Sequence, residues 1–409
     1  MSETNELRIA VIGAGPAGVY SSDIFLRQLG KLGEELGLGT KARIDLFEKL
    51  PVPFGLVRYG VAPDHPSIKF IASALEKTLD NPDIHLYCDV EFGKDVTLDE
   101  LLERYDAVLF ATGAVEDKPL GLPGADLDGV YGAAKFVEWY DGYPTGAREW
   151  PLDAEEVAVI GGGNVAMDVA RSAVRCGAEK VSIVYRRRIC DMTAQDAEIA
   201  GAQAEGCEVL ELTAPLAIET GEEGRVSGLR VQPQIIGEPR RGRPAPRAAA
   251  TPERVIPCER VFVAIGQDID SKPFEDMGIA CKWGCVVTDS DGAVPNFDGL
   301  FSGGDCQTGP ATVIRAINAG RVASANIAPY LGFDHKIKLD VELPTVQFKG
   351  KHECGRCELG EREAGERIHD WNLVEQGLTE EEARQEASRC LRCDHFGFGA
   401  FRGGRSLEW

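Results

Sequence analysis

The chain has 409 residues, a net charge of −22 and a hydrophobic fraction of 44%. Its length fits two domains with sizeable cores, and its acidic balance argues against nucleic acid as a partner, because the phosphates would be repelled. The sequence shows no run of 18 apolar residues and no basic N-terminal stretch followed by an apolar one, so we expect no membrane insertion and a cytoplasmic location.

A glycine-rich turn follows the first strand-like run, residues 9–12. Its sequence is Gly13-Ala14-Gly15-Pro16-Ala17-Gly18, and a helix-compatible segment continues over 17–29. Glycines at this spacing make a tight turn, admit a pyrophosphate and let the helix pack on the strand. The next apolar run ends in Glu48, after a Gly- and Glu-rich insertion over 30–40, and an acid there suits a ribose 2′-hydroxyl. The predicted contacts of this first dinucleotide site are Gly13, Gly15, Pro16, Ala17, Gly18, Glu48 and Lys49.

A second glycine-rich turn follows the strand-like residues 157–160. It reads Gly161-Gly162-Gly163-Asn164-Val165-Ala166 and opens a segment with helical pattern that stops at Gly177. The strand after it, residues 181–185, ends in three arginines, and a cationic end suits the 2′-phosphate of a dinucleotide. The predicted contacts of this second site are Gly162, Gly163, Asn164, Val165, Arg186 and Arg187.

Other strand-like runs also end in small residues and glycine. Such ends mark places where the backbone meets a cofactor at the carboxyl edge of a parallel sheet. The candidates from these runs are Ala111, Thr112, Gly113, Gly266 and Gly304. A Pro-punctuated segment, residues 51–66, is predicted to be an ordered, irregular loop, because its prolines disfavour helix and central strand. The richest basic stretch, Arg240 to Arg247, lies among prolines and alanines and is predicted to be an exposed loop.

The second unit lies between two parts of the first. We therefore predict an α/β fold with two Rossmann-like dinucleotide-binding domains, the second inserted in the first, plus a small Cys-rich C-terminal extension. The first domain would comprise residues 1–150 and 268–345, the second residues 151–267, and the extension residues 346–409.

Two C-x-x-C pairs in the extension predict a metal centre. Twelve cysteines in a long chain without a secretion signal are typical of reduced thiols and metal ligands. Thr379 and Glu382 form a capping-box pattern for a helix over 380–392, on which the last pair would share one face. The predicted ligands are Cys354, Cys357, Cys390 and Cys393. Such pairs serve both iron-sulfur clusters and zinc, so both remain open.

These motifs together resemble a known family. Within residues 51–66, Phe-Gly-Leu-Val-Arg and Ala-Pro-Asp-His-Pro resemble the flavin-side segment of adrenodoxin reductase-type ferredoxin:NADP reductases. Residues 161–168, 185–187 and 303–305 resemble the small subunit of glutamate synthase and its relatives. Residues 386–393 are similar to an iron-sulfur segment of those relatives, which usually lies at the N-terminus. The resemblance covers roughly residues 7 to 330.

The resemblance implies FAD in the first domain and NADP(H) in the second. Hydride would pass between nicotinamide and flavin, and electrons would then pass singly to an iron-sulfur centre and a redox partner. That partner would be another subunit of a hetero-oligomeric complex or a ferredoxin-like carrier.

Residue roles also follow from the resemblance. Glu48 would bind the FAD adenosine ribose, Asp305 the ribityl chain, and Arg186 and Arg187 the 2′-phosphate of NADP. His65 and Asp168 are the catalytic candidates, with an orienting role beside the flavin; His65 capping a turn is the alternative. The other implied FAD contacts are Gly55, Leu56, Val57, Arg58, Ala311, Thr312 and Val313. Glu198 is a further cofactor-binding candidate.

Three alternative functions require different features of the sequence. A disulfide reductase needs a redox cysteine pair beside the flavin, and residues 40–60 contain none, while Cys281 and Cys285 lie in a predicted turn. A stand-alone NADPH-dependent flavin reductase would use the four late cysteines as a structural zinc clamp. A docking subunit of a redox complex would keep its nucleotide sites for structure or regulation.

Overall fold

The computed structural model describes residues 6–36, 41–142, 154–221, 224–240, 243–333 and 353–390. The first two of these ranges contain six strands and six helices. They are β1 (Glu6–Ile12), α1 (Pro16–Leu36), β2 (Lys41–Phe47), α2 (Leu56–Tyr59), α3 (Pro66–Lys69), α4 (Ile71–Leu79), β3 (Ile84–Tyr87), α5 (Leu98–Arg104), β4 (Ala107–Phe110), β5 (Glu116–Asp117), β6 (Val130–Gly132) and α6 (Ala133–Tyr140).

The later ranges contain a second βαβ unit, an antiparallel region and the C-terminal helices. The elements up to residue 268 are β7 (Glu156–Gly161), α7 (Asn164–Arg175), β8 (Lys180–Val184), a 3-10 turn (Ile189–Asp191), α8 (Asp196–Ala204), β9 (Glu208–Leu210), β10 (Thr213–Thr220), β11 (Val226–Arg240), β12 (Arg243–Ala248), β13 (Arg254–Pro257), β14 (Arg260–Ala264) and β15 (Gln267–Asp268). The remaining elements are α9 (Lys272–Asp276), β16 (Cys281–Lys282), β17 (Cys285–Val286), β18 (Leu300–Ser302), α10 (Asp305–Thr308), α11 (Val313–Tyr330), β19 (Gly360–Glu361), α12 (Ala364–Arg367), β20 (Glu375–Gly377) and α13 (Glu380–Arg389).

Two parallel five-stranded sheets form the framework. The first has the order β18-β4-β1-β2-β3 and the second the order β6-β14-β7-β8-β9. Alternate residues of β1 face two different cores, with Ile9 and Val11 in one and Ala10 and Ile12 in the other. A strand buried on both faces needs this continuous apolar run. The predicted α/β fold with Rossmann-like parallel sheets is confirmed.

The late helix α11 packs on the first helix, α1. A Cβ atom on Gly320 would lie 2.5 Å from the carbonyl oxygen of Ala17, so only glycine permits this close approach. At Gly304, which has φ +83°, a Cβ would lie 2.9 Å from the Ala17 side chain. These glycines bring the residues after β18 and the middle of α11 against the first turn of α1.

The second sheet begins earlier in the chain than the predicted boundary at residue 151. Strand β6 pairs with β14, and helix α6 contributes Phe136 and Val137 to the second core. The sequence analysis missed this strand because three residues, Val130 to Gly132, are too few to show a periodic pattern. The boundary at 267/268 falls inside β15. This strand pairs with β5 in a separate two-stranded sheet. The boundary at 345/346 lies outside the described residues.

An antiparallel sheet of β10, β11, β12 and β13 covers one side of the second sheet, with Leu229 and Val231 buried against it. The basic stretch predicted to be a loop instead forms the ends of β11 and β12, which pair with each other. Its prolines are tolerated where the missing N–H has no ladder partner. Residues 241–242 lie outside the described residues.

Three further local expectations are corrected. Helix α1 continues to Leu36 rather than ending near Leu29, because the inserted lysine, leucine and glutamate residues are good helix formers. The segment 51–66 contains one helical turn, α2, between its prolines. Helix α13 has the expected capping box at Thr379 but ends at Arg389. Across the described residues, the helices are all too short or too polar to cross a membrane.

Candidate functional site

The first glycine-rich turn has the geometry that its sequence predicts. Gly13 has φ +108°, and a Cβ there would lie 2.4 Å from the carbonyl oxygen of Ala111. A Cβ on Gly18 would lie 2.0 Å from the carbonyl oxygen of Gly13. These two glycines therefore serve the packing of strand on helix, and they place the turn beside the end of β4, where Thr112 and Gly113 follow.

Glu48 is buried at the end of β2, with 6% of its surface exposed. The backbone N–H of Ala14 donates to its Oε2 at 2.9 Å, and that of Leu50 donates to its Oε1 at 3.0 Å. Burial raises the pKa of this carboxyl, and the two N–H donors oppose the rise. Glu48 is thus held rigidly at the turn, while the neighbouring Lys49 is exposed.

The space around the turn fits a dinucleotide. A Cβ added to Gly15 or to Gly113 would meet no protein atom within 4 Å, so both glycines border open space. Oδ1 of Asp305, the first residue of α10, is buried without a hydrogen-bond partner among the described residues. Ala311 and Thr312 are exposed at the start of α11, with Val313 partly buried. A buried acceptor without a partner is a group to which a hydroxyl of a bound ligand can donate a hydrogen bond.

Residues 53–58 fold back onto this turn. The N–H of Phe54 donates to the carbonyl of Ala14 at 2.8 Å. Gly55 has φ +47°, and a Cβ on it would lie 3.7 Å from the Cα of Gly15. Nε of Arg58 donates to the carbonyl of Pro53 at 3.1 Å, and its guanidinium lies 5.2 Å from the Phe54 ring centroid. Leu56 is partly exposed here, whereas Val57 is buried in the first core.

The second glycine-rich turn opens α7. A Cβ on Gly161 would lie 2.3 Å from the carbonyl oxygen of Ala264, and one on Gly162 would lie 2.5 Å from the Tyr185 ring. Oδ1 of Asn164 accepts from the N–H of Gln195 at 2.9 Å, which ties the turn to the start of α8. Gly163 is the N-cap residue of α7, Val165 is exposed, and Gly266 follows the neighbouring strand β14.

The arginines after β8 differ in their contacts. Arg186 is exposed, and Nε of Arg187 donates to the carbonyl of Pro244 at 2.8 Å. Arg188 is paired with the Asp191 carboxylate at 2.9 and 3.0 Å, so its charge is already compensated. Sequence reasoning missed Arg243, whose Nη2 donates to the carbonyl of Asp191 at 2.9 Å. The only signal for it was the basic composition of 240–247.

His65 and Asp168 come together although they are far apart in the chain. Nε2 of His65 lies 3.1 Å from Oδ1 of Asp168, and this hydrogen bond raises the pKa of His65 to about 8, against the opposing effect of burial. The His65 side chain does not cap α3, so the turn-capping alternative is not what the structure shows. One ligand-capable atom each of His65, Asp168 and Glu198 lies within 4.8 Å of the others.

These three side chains line a cavity of about 300 Å³. Its walls come from residues 60–68 of the first unit and from α7 and α8 of the second. The cavity therefore lies where the two nucleotide units meet. Residues of the C-terminal segment also line it, a contact that no sequence motif predicts; they are Glu361, Arg367, Leu373, Val374 and Glu375.

Two of the late cysteines, Cys354 and Cys357, lie along α13. Sγ of Cys354 is 4.0 Å from the carbonyl oxygen of Gln385, and Sγ of Cys357 is 3.7 Å from that of Glu382. Cys390 caps the end of α13 in extended conformation and is not part of the helix, so the predicted shared helical face with Cys393 is wrong. Cys393 itself lies outside the described residues.

Cys281 and Cys285 lie on the two strands of a short hairpin, β16 and β17, and both are free thiols. Burial raises the pKa of Cys281 to about 11 and also raises that of Cys285. A redox-active pair needs a low-pKa thiolate, so these thiols do not have the character of a disulfide reductase centre.

Comparison with known proteins places these sites in a family. Residues 7–320 match the family model described as pyridine nucleotide-disulphide oxidoreductase. The chain is 32% identical to the NADP(+)-dependent formate dehydrogenase subunit beta of Moorella thermoacetica over an alignment of 417 positions, which covers 98% of this chain and 56% of that protein. It is 33% identical to the glutamate synthase [NADPH] small chain of Halomonas elongata over an alignment of 335 positions, which covers 79% of this chain and 68% of that protein.

Among solved structures, FprA of Mycobacterium tuberculosis in complex with NADPH superposes with a TM-score of 0.71 at 25% identity, covering 80% of this chain and 85% of that one. The chain spans about half the length of the first curated relatives it matches. The family and these relatives support FAD and NADP(H) as cofactors. The chain therefore belongs to the pyridine nucleotide-disulphide oxidoreductase family.

Proposed function

We propose that the chain transfers hydride between NADP(H), held at the second turn, and FAD, held at the first. The observation that carries this proposal is the cavity where His65 of the first unit meets Asn164 and Asp168 of the second. Glu48 and Arg186–Arg187 lie outside that cavity lining, after the second strand of each unit. FAD, when bound, would accept two electrons as a hydride and release them one at a time.

The chain's own residues bind and orient. Glu48 accepts from the ribose of the flavin nucleotide, and the free Oδ1 of Asp305 accepts from a second hydroxyl. The start of α11 directs its N–H groups and helix dipole toward the ligand space, which stabilises negative charge there. Arg186 and Arg187 donate charge-assisted hydrogen bonds to the 2′-phosphate.

His65 has an orienting role in this proposal. With a pKa of about 8, the imidazole is largely protonated at neutral pH and is fixed by Asp168. A protonated, anchored ring donates a hydrogen bond and presents positive charge to the cavity. Hydride transfer needs no base, so this role is positioning rather than proton abstraction.

We further propose that the electrons pass one at a time to an iron-sulfur centre at Cys354, Cys357, Cys390 and Cys393. Two C-x-x-C pairs supply four thiolates, the donor set that such a cluster takes. Residues 386–393 are similar to an iron-sulfur segment of the glutamate synthase relatives, which favours a cluster over a structural zinc at this site.

A partner subunit or a ferredoxin-like carrier would receive these electrons. Relatives of this chain are named as subunits, the formate dehydrogenase subunit beta and the glutamate synthase small chain, which supports a hetero-oligomeric complex.

The electron route is tested by metal analysis and by electron paramagnetic resonance of the purified, dithionite-reduced protein. A cluster signal that also develops on reduction with NADPH supports the route. Zinc without iron would instead support a stand-alone flavin reductase with a structural clamp. In Cys390→Ser we expect the metal to be lost while FAD is retained; unchanged metal content would show that Cys390 is not a ligand.

A further inference from the structure

The C-terminal segment, residues 353–390, is anchored to the second nucleotide unit by one buried arginine. Arg367 is 2% exposed, and its Nε lies 2.8 Å from Oε1 of Glu205. The same carboxylate is paired with Arg171 at 2.9 Å and with Arg175. A buried charge is retained only where partners compensate it, so this cluster fixes the position of the segment.

A second contact lies beside the first. Nε of Arg175 donates to the carbonyl of Asp370 at 3.0 Å, and its guanidinium lies 5.6 Å from the Trp371 ring centroid. Trp371 also packs near Tyr140 of α6, with ring centroids 5.9 Å apart. The segment is thus held on the second unit by side chains from α6 and α7.

The anchoring cluster continues to the shared cavity. Arg171 contacts Glu198 at 2.9 Å and Asp64 at 3.1 Å, in addition to Glu205. Glu198 in turn lies within 4.8 Å of His65 and Asp168. Ion pairs therefore connect Arg367 through Glu205 and Arg171 to Glu198, which lies beside His65 and Asp168.

The segment also lines the cavity directly. Its Glu361, Leu373, Val374 and Glu375 face the same space as residues 60–68 and helices α7 and α8. Glu361 is paired with Arg367, so one residue links the anchor to the cavity lining. Two of the three sides of the cavity belong to the nucleotide units, and the third belongs to this segment.

We propose that residues 361–375 form the outer wall of the hydride-transfer site, with Arg367 as the positioning residue of that wall. The proposal rests on the proposed function and assigns part of the site to the C-terminal segment. The wall excludes water from the nicotinamide side of the cavity and holds Glu198 through Arg171. Glu205 keeps two arginine partners without Arg367, so loss of the anchor leaves the second unit folded.

The first test compares two arginines of this segment. Arg367→Met removes the anchor, whereas Arg384→Met removes an exposed arginine whose ion pair among the described residues is with Glu380 on its own helix. Flavin reduction by NADPH is followed by stopped flow in the full-length, FAD-containing protein. We expect Arg367→Met to slow reduction about 2- to 30-fold, the range for coupling through a packed network, and Arg384→Met to match the wild type.

The second test uses a steric pair that leaves the anchor intact. Leu373 is 44% exposed and lines the cavity, while Leu378 is 38% exposed in the same segment and does not. Leu373→Trp should raise the KM for NADPH several-fold without changing flavin content or thermal unfolding. Leu378→Trp should leave the KM unchanged.

A third readout is independent of turnover. Hydrogen exchange of peptides spanning 361–375 should slow on adding NADP+ to the wild type, and this protection should be lost in Arg367→Met. The proposal that residues 361–375 form a wall of the site would be overturned if Arg367→Met and Leu373→Trp both had wild-type kinetics and NADP+ did not slow hydrogen exchange in these residues. Failure of the wild type itself to be reduced by NADPH would instead overturn the proposed function.

Discussion

The two glycine-rich turns share a backbone design and differ in the environment of their terminal charges. Glu48 is buried, and both of its oxygens already accept backbone hydrogen bonds. Arg186 is exposed, and Arg187 is only partly buried. A fixed, buried acid suits a nucleotide that stays bound, whereas exposed arginines suit one that enters and leaves. We infer that the first site retains its cofactor and the second exchanges its substrate.

The largest expected effect is the loss of bound flavin on substitution of a glycine that borders the ligand space. Substitution of a glycine that packs strand against helix should instead prevent folding. Gly15→Val places a side chain in open space, where no protein atom lies within 4 Å of the Cβ, so the fold should persist while bound flavin is lost. Gly18→Val would place a Cβ 2.0 Å from a carbonyl oxygen, so this variant should fail to fold. Flavin absorbance and circular dichroism measure both. Normal flavin occupancy in Gly15→Val would refute the first site.

The second comparison tests the charge selectivity of the other turn. Arg186→Glu with Arg187→Glu should raise the KM for NADPH about a hundredfold more than that for NADH, because two charge-assisted bonds contribute about 3 kcal/mol. Arg188→Gln is the matched control, since Asp191 already compensates that arginine. Thermal unfolding checks the fold, because Arg187 also binds the Pro244 carbonyl. Equal effects on both nucleotides would contradict the assignment.

A smaller effect is expected where the two units meet. Asp168→Asn should lower the pKa of His65 from about 8 toward its ordinary value of 6.5, measured by NMR titration. Because the folded-state pKa is raised, the pair stabilises the fold fully below about pH 6.5, and this contribution is lost as the pH rises through about 8. The variant should lose that pH dependence. An unchanged His65 titration would show that Asp168 does not set it.

The smallest effect concerns the arginine that the sequence did not single out. Arg243 reaches the Asp191 carbonyl beside the predicted phosphate site, so Arg243→Met should raise the KM for NADPH by a few-fold and leave that for NADH unchanged. Arg247→Met, on the same strand, serves as the control. A change of similar size for NADH would assign Arg243 to hairpin structure alone.

The local parts of the site were predictable from the sequence. Each turn is defined by glycines within six residues, and its charge lies at the end of the next strand, so spacing alone located Glu48 and Arg186. The pairing of His65 with Asp168 was expected only through the family resemblance. Nothing in the sequence shows that these two residues meet, because they belong to different units.

The parts that could not be predicted depend on long-range contacts. Arg367 and Glu205 belong to different segments and carry no pattern that links them. Strands β11 and β12 contain prolines, which disfavour strand conformation locally. They form because pairing with each other compensates for this low propensity. The end of α13 at Arg389 leaves Cys390 just outside the helix, because helix ends depend on the contacts of the last turn rather than on a sequence pattern.

The contrast between a retaining site and an exchanging site is tested most directly by dialysis followed by anaerobic titration. The purified wild-type chain is dialysed exhaustively, and its visible spectrum is recorded while NADPH or NADH is added. We predict that FAD remains bound after dialysis and is bleached by NADPH at concentrations where NADH has little effect. A chain that loses its flavin on dialysis, or stays oxidised in excess NADPH while folded, would contradict the account.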